Sequence, residues 1–414
     1  MAVFHENKDW IEDAVTEEFV DKGKKQRRAW LAAGVAAAVF LLLSACGGSS
    51  SSSGPPPPLP NDQTGSLVSL YPTYNNSPAN CYISDNAVCS PSTTGANPIT
   101  ALAAATISSN NFLYWGDGGG NIYSTSSLLA TPPSSSSSLT SCFSSSGSVG
   151  TKILSIAVVP SSSELFYATS GGTYEGTLSS GACHTSFSTS PSPLPNAAAG
   201  SLTYNAATNL VIGVTGSAQY FFCTTAPICT NEGSLPGLVD ISPQITAIAS
   251  DPNPNYAIVY VLAIGVNTGR IYAYQVGSSG TLTYLTNYSG TELNGPSGVA
   301  LFSGNTGTQN FCTTGPCTFM DVTNSGNTTI TQYVVTYSFS GTTPNGVSIN
   351  QFNNAYYNCD LVNPGPIAAL PGSSGSLNNP DVFVGERGPG TVPCLGLTSG
   401  SFGNNITAYT VTNE

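Results

Sequence analysis

Residues 245–285 read ITAIASDPNPNYAIVYVLAIGVNTGRIYAYQVGSSGTLTYL. Short apolar runs rich in Ile, Val and Tyr alternate with turn-formers: Asp251-Pro252-Asn253-Pro254, then Gly265 to Gly269, then Gly277-Ser278-Ser279-Gly280. β-Branched and aromatic side chains suit a pleated, half-buried surface, whereas Pro, Asn and Gly supply the backbone angles of turns. The stretch therefore predicts four antiparallel strands, at Ile245–Ala249, Ile258–Ile264, Arg270–Val276 and Thr281–Leu285. Four strands in 41 residues is the size of one propeller blade.

The pattern recurs. Ile153–Leu178 (ILSIAVVPSSSELFYATSGGTYEGTL) places Ile153 and Ile156 on Ile245 and Ile248, Pro160 on Pro252, and Phe166-Tyr167 on Val259-Tyr260. Another copy begins at Ile99, with Phe112–Trp115 as its second strand and Asn121-Ile122-Tyr123 matching Arg270-Ile271-Tyr272. Looser copies start near Leu202, Ser297 and Ile367. Helix signals are nearly absent, and Gly, Pro, Ser, Thr and Asn punctuate the chain throughout. The expectation is an all-β chain: a β-propeller of six or seven four-stranded blades, the seventh being a divergent copy between Ser297 and Pro366. The last copy ends at Asn405–Tyr409, one strand short. Gly65–Tyr71 (GSLVSLY) has no blade of its own, so it is expected to close the ring as the missing outer strand.

The Asp251-Pro252-Asn253-Pro254 turn before a Tyr-Val strand, followed by Gly269-Arg270-Ile271-Tyr272-Ala273-Tyr274, resembles the lactonase-like propellers. These are relatives of 6-phosphogluconolactonase and the surface YVTN proteins. The resemblance is good over Ile245–Leu285, fair over Ile153–Leu178 and loose elsewhere. It implies a propeller fold. It implies an activity much less, because propellers host many unrelated functions.

The N-terminal region predicts an address. Lys24, Lys25, Arg27 and Arg28 precede the apolar run Ala29–Leu43, and Leu43-Ser44-Ala45-Cys46 resembles the lipobox of a bacterial lipoprotein. Residues 1–28 are then a cytoplasmic n-region, residues 29–46 the signal run and lipobox, and Cys46 the lipid-modified first residue. The n-region is longer than usual, and a start at Val20 would give an ordinary one. An uncleaved signal anchor is the alternative, and it leaves the C-terminal bulk on the same side of the membrane. Residues 47–64, Gly/Ser-rich and then Pro-rich, read as a tether. Gly47 rather than Asp after the cysteine favours the outer membrane. The expected localisation is the cell envelope, lipid-anchored and extracytoplasmic.

Beyond the tether lie residues 65–414. After Cys46 only Lys152, Arg270 and Arg387 are cationic, against fourteen acids, a net charge of −11. No basic surface exists to neutralise phosphates, which excludes nucleic acid as a partner. Charged residues make up 7% of the chain, so solubility rests on neutral polar groups, a surface insensitive to pH. Ten cysteines follow Cys46, an even number suited to an oxidising compartment. Pairing by proximity gives Cys81 with Cys89, Cys142 with Cys183, Cys223 with Cys229, Cys312 with Cys317, and Cys359 with Cys394. No Cys-x-x-Cys occurs and His184 is the one histidine after Cys46, so neither metal nor cofactor is expected.

Candidates for catalysis are few. A lactone hydrolase needs a base to activate water and donors for the oxyanion. Glu386 and Arg387, adjacent after the Val382–Val384 strand, suit a propeller mouth. Arg270 and His184 complete the candidates. Trp115–Gly120 looks like a calcium loop, but Asp117 is its sole acid, and a tight turn explains it better. No lactonase apparatus carries over residue by residue. The favoured function is a non-catalytic binding or envelope-structure module with a protein or glycan ligand; the alternative is a lactonase-like hydrolase at the mouth.

Overall fold

The computed structural model describes residues 67–69, 83–84, 97–126, 128, 140–143, 148–184, 186–225, 227–266, 268–303, 317–352, 356–357, 363–370, 381–387 and 405–411. The n-region, signal run, Cys46 and tether lie outside the described residues, as do Cys81, Cys89, Cys312, Cys359 and Cys394.

Every regular element among the described residues is a strand, and the strands form six antiparallel sheets, five of them built from consecutive chain segments and the last joined by the N-terminal strands Leu67–Ser69 and Ile83–Ser84. Blade 1 comprises Ile99–Ile107, Asn110–Asp117, Ile122–Thr125 and Thr140–Ser141. Blade 2 has Ser155–Val159, Glu164–Thr169 and Gly172–Thr177; blade 3 has Ser201–Asn205, Leu210–Val214, Gln219–Thr224 and Cys229–Ser234. Blade 4, the stretch quoted first, has Gln244–Ser250, Ile258–Ile264, Gly269–Val276 and Leu282–Ser289. Blade 5 has Pro296–Ser303, Cys317–Asn324, Thr329–Ser340 and Thr343–Gln351; blade 6 begins with Pro364–Ala369, Val382–Glu386 and Asn405–Val411. The first strand of each blade neighbours the first strand of the next, and blade 6 returns to blade 1. The molecule is a six-bladed propeller.

Packing between blades explains the apolar runs. In Ile258–Ile264, Val259, Val261 and Ala263 pack with Leu210, Ile212 and Val214 of blade 3. Ile258, Tyr260 and Leu262 pack with Val299, Leu301 and Met320 of blade 5. A strand with neighbouring blades on both faces has no solvent side, so its sequence is continuously apolar rather than alternating.

Ring closure follows the expected route. Leu67–Ser69 runs antiparallel to Asn405–Val411, with Leu67 opposite Val411 and Ser69 opposite Tyr409. The first described strand thus becomes the outer strand of the last blade.

Of the six or seven blades expected, the structure has six, and the described residues from Pro296 to Gln351 form blade 5 with its long hairpin Thr329–Ser340/Thr343–Gln351. Blade 2 has three strands rather than four among the described residues. After Gly172–Thr177 the chain turns at Ser179–Ala182, and Cys183 is disulfide-bonded to Cys142 at the edge of blade 1. Phe187 then packs edge-on against Phe143 and stacks on Tyr167. A staple and an aromatic plug cover the edge where a fourth strand would lie. A second disulfide, Cys223–Cys229, joins directly opposed residues of the outer hairpin of blade 3.

Candidate functional site

The six innermost strands surround a central channel. Each contributes small or apolar side chains: Ala103 and Ala105, Ala157, Leu202, Ala249, Ala300 and Ala368 among them. One cavity in it has a volume of about 260 Å³ and is lined from all six blades. The face where the innermost strands begin is called upper here, and the face where they end, lower.

The lower mouth carries the most elaborate polar cluster. Asp251 follows the innermost strand of blade 4, lines the cavity and is 3% exposed. Its carboxylate accepts from the Asn253 N–H at 3.0 Å and from the Tyr260 hydroxyl at 3.4 Å. Tyr337, on the third strand of blade 5, also donates to it, and Thr318 Oγ1 lies 2.7 Å from the Tyr337 oxygen. The Tyr256 ring packs 4.8 Å from that of Tyr337. Burial pushes the Asp251 carboxyl up to about 6, against the opposing pull of those three hydrogen bonds. The cluster joins blade 4 to blade 5 and places a titratable carboxyl at the channel rim. Beside it in the lining stands Tyr204, partly exposed, its hydroxyl donating to Asn209 Oδ1 at 2.8 Å. The sequence showed Asp251 only as part of a turn; its tyrosine partner, 86 residues away, is brought to it by the ring.

The candidates expected from sequence are dispersed. Arg387 lines the upper mouth and donates from Nη2 to the Ser297 carbonyl at 2.9 Å; burial lowers its pKa. Glu386 precedes it, 3% exposed, at the end of the second strand of blade 6. Arg270 is on the upper face too, but on a third strand, away from the residues lining the channel. Its Nε lies 2.8 Å from Asp240 Oδ2 and Nη1 donates to Asn287 at 3.2 Å. His184 meets the Ser186 hydroxyl at 3.2 Å, next to the Cys142–Cys183 staple rather than at the channel. Arg270, Arg387 and His184 therefore do not converge. Asp117 accepts four hydrogen bonds, from the N–H groups of Gly119 and Asn121 and the side chains of Asn97 and Asn121. That is the tight turn the sequence favoured. Among the described residues no three His, Cys, Asp or Glu side chains are grouped as metal ligands.

No family model matches this chain, and no curated protein matches it in sequence. Several solved structures are similar to it. One is the β-propeller domain of Cps50 (Swd1) from Myceliophteria thermophila, at 11% identity and TM-score 0.42, covering 76% of this chain and 84% of that one. A structure of U3-55K, at 9% identity and TM-score 0.39, covers 72% of this chain and 79% of that one. A functionally unknown protein from Desulfotomaculum acetoxidans DSM 771, at 12% identity and TM-score 0.37, covers 62% and 76%.

Proposed function

We propose that this chain is a non-catalytic binding module, carried by a lipid on Cys46 outside the cytoplasmic membrane and held off it by residues 47–64. The supporting observation is the lower mouth: a channel of about 260 Å³ lined from all six blades, with the partly exposed Tyr204 among its lining residues. An aromatic face covers the apolar side of a sugar ring. A glycan is thus the ligand this mouth suits best, with a protein loop as the other class of partner. A glycan array probed with the full-length protein in detergent tests the reading. Selective binding is expected, weakened about tenfold or more by Tyr204→Ala, which removes an aromatic contact. Indifference of the array, or binding unchanged in that variant, contradicts it.

One observation favours the second reading, lactone hydrolysis around Glu386 and Arg387: Arg387 does line a channel mouth. Turnover of a simple lactone that Glu386→Gln abolishes would support that reading over binding alone.

A further inference from the structure

Two hollows open on the channel: the one of about 260 Å³ towards its lower mouth, and one of about 60 Å³ towards its upper mouth. Six residues, one from each blade, line both: Leu102, Ile156, Leu202, Ile248, Val299 and Ile367. They form an aliphatic band between the hollows. Each keeps 4–8% of its surface accessible, whereas Trp115, Val261, Val322 and Val384, opposite four of them in the second strands, keep none.

The backbone sets the level of this band. In blades 2 and 3 the aliphatic residue directly follows a serine, Ser155 or Ser201. In blades 1, 4 and 5 it stands two places after Thr100, Thr246 or Ser297. The register shifts in those three blades just before it, between Ile99 and Ala101, Ile245 and Ala247, and Pro296 and Gly298. A β-bulge leaves one residue out of the ladder. The extra residue is thereby absorbed, and the aliphatic side chains come to one height.

Above the lower mouth the walls of the cavity are peptide edges. The innermost strand of each blade ends its sheet, so one of its edges has no strand beside it and faces the channel. In blade 3 the Leu202 N–H points from that edge and donates to the Ser155 hydroxyl at 2.9 Å. Backbone groups alternate in direction along an antiparallel strand, so Tyr204, two residues on, turns its N–H and C=O to the same edge. No Lys or Arg is among the described residues lining this cavity. Its one acid, Asp251, is 3% exposed and already accepts from Asn253, Tyr260 and Tyr337. Neutral groups must therefore carry recognition: an aliphatic floor, peptide edges and the partly exposed Tyr204.

We propose that the lower mouth selects an N-acetylated amino sugar and seats its acetamido group on the aliphatic band. The inference rests on the glycan reading above and names the class of sugar. An acetamido group carries what the cavity can use: a methyl for the band, and one N–H and one C=O for the peptide edges. Its length agrees. Tyr204 stands two residues from Leu202, about 7 Å along the strand. The methyl carbon lies about 3.8 Å from the sugar carbon that bears the group, the span of a trans peptide between its flanking carbons. A van der Waals contact adds about 4 Å. A sugar stacked on Tyr204 thus brings its methyl to Leu202, and a hydroxyl on the same sugar carbon falls short of the floor.

The test is calorimetric titration of the full-length protein, in a detergent without a sugar headgroup, with N-acetylglucosamine trisaccharide and with its glucose counterpart. The second has a hydroxyl in place of each acetamido group. Both are uncharged, so the net charge of the protein favours neither. Burial of one methyl and pairing of one amide predict binding of the acetamido compound about tenfold tighter or more. Leu202→Ala, and Val299→Thr at nearly constant volume, should each lower that preference about fourfold. Both should leave the weaker binding of the glucose compound unchanged, with melting curves showing that each variant is folded. Equal affinity for the two trisaccharides, or a preference undiminished in both variants, overturns the inference and leaves the glycan reading standing. Binding of neither overturns it as well, and the glycan array then decides the wider reading by itself.

Discussion

Asp251 and Asp321, with the partly buried Glu175, make the stability of this protein depend on pH. Asp321 in blade 5 is fully buried; Gln332 Nε2 donates to its Oδ1 at 3.0 Å, and its Oδ2 has no hydrogen-bond partner. Burial raises its pKa to about 7, and that of Asp251 to about 6. A carboxyl whose folded pKa is raised binds its proton more tightly in the native state than in the unfolded chain. Its contribution is intact below about pH 4 and is lost as pH rises through the folded values. The expectation is a stability that falls between about pH 4 and pH 7, each tenfold change in acidity constant corresponding to about 1.4 kcal/mol. Urea midpoints across this range check it. Asp321→Asn should flatten the upper part of the fall and leave the variant more stable than the wild type at pH 8; a parallel profile in the variant would show that Asp321 does not ionise there. The neutral surface suggested pH insensitivity from composition alone. The buried acids run against it, because burial is invisible in a residue count.

The blade is the element whose origin is plainest. Blade 4 was legible because strand and turn residues alternate at blade spacing, and the closing strand because one copy lacked its partner. The upper-mouth ring was not, although each early repeat carries a Ser or Thr at the start of its first strand. Those residues, Thr100, Ser155, Ser201, Thr246 and Ser297, stand 45 or more positions apart, and only the ring brings them to one mouth. The three-stranded blade 2 was missed for a related reason: Cys142 and Phe143 lie in another blade and cover its edge. Two predictions belong here. N–H groups of the closing strand alternate between partner and solvent. Proline at one of Leu67 and Val68 should therefore cost about 3 kcal/mol and the other much less. Two equal, negligible losses in urea unfolding would mean that closure contributes nothing. Replacing Cys142 and Cys183 together by Ser should cost about 3–4 kcal/mol, since the pair closes a long loop. The corresponding change at Cys223 and Cys229, a separation of 6, should cost about 2. The order of the two urea midpoints is the check.

At the scale of the whole molecule, sparse charge and numerous cysteines agree with one another. A domain with three cations and fourteen acids after Cys46 relies on neutral polar groups for solubility and on disulfides and blade packing for stability. Such a domain suits a place outside the reducing cytoplasm. In the proposed reading the tether sets position and the ring presents its lower mouth to a ligand. The binding proposal stands on that address. Its most direct test is the intact mass of the protein extracted from membranes, with its N-terminal peptide sequenced. The predicted result is a chain that begins at an acylated Cys46 and lacks the ten hydrogens of five disulfides formed by the ten remaining cysteines. A chain that keeps the residues before Cys46, carries no acyl mass and has its thiols free would contradict both the anchor and the extracytoplasmic address.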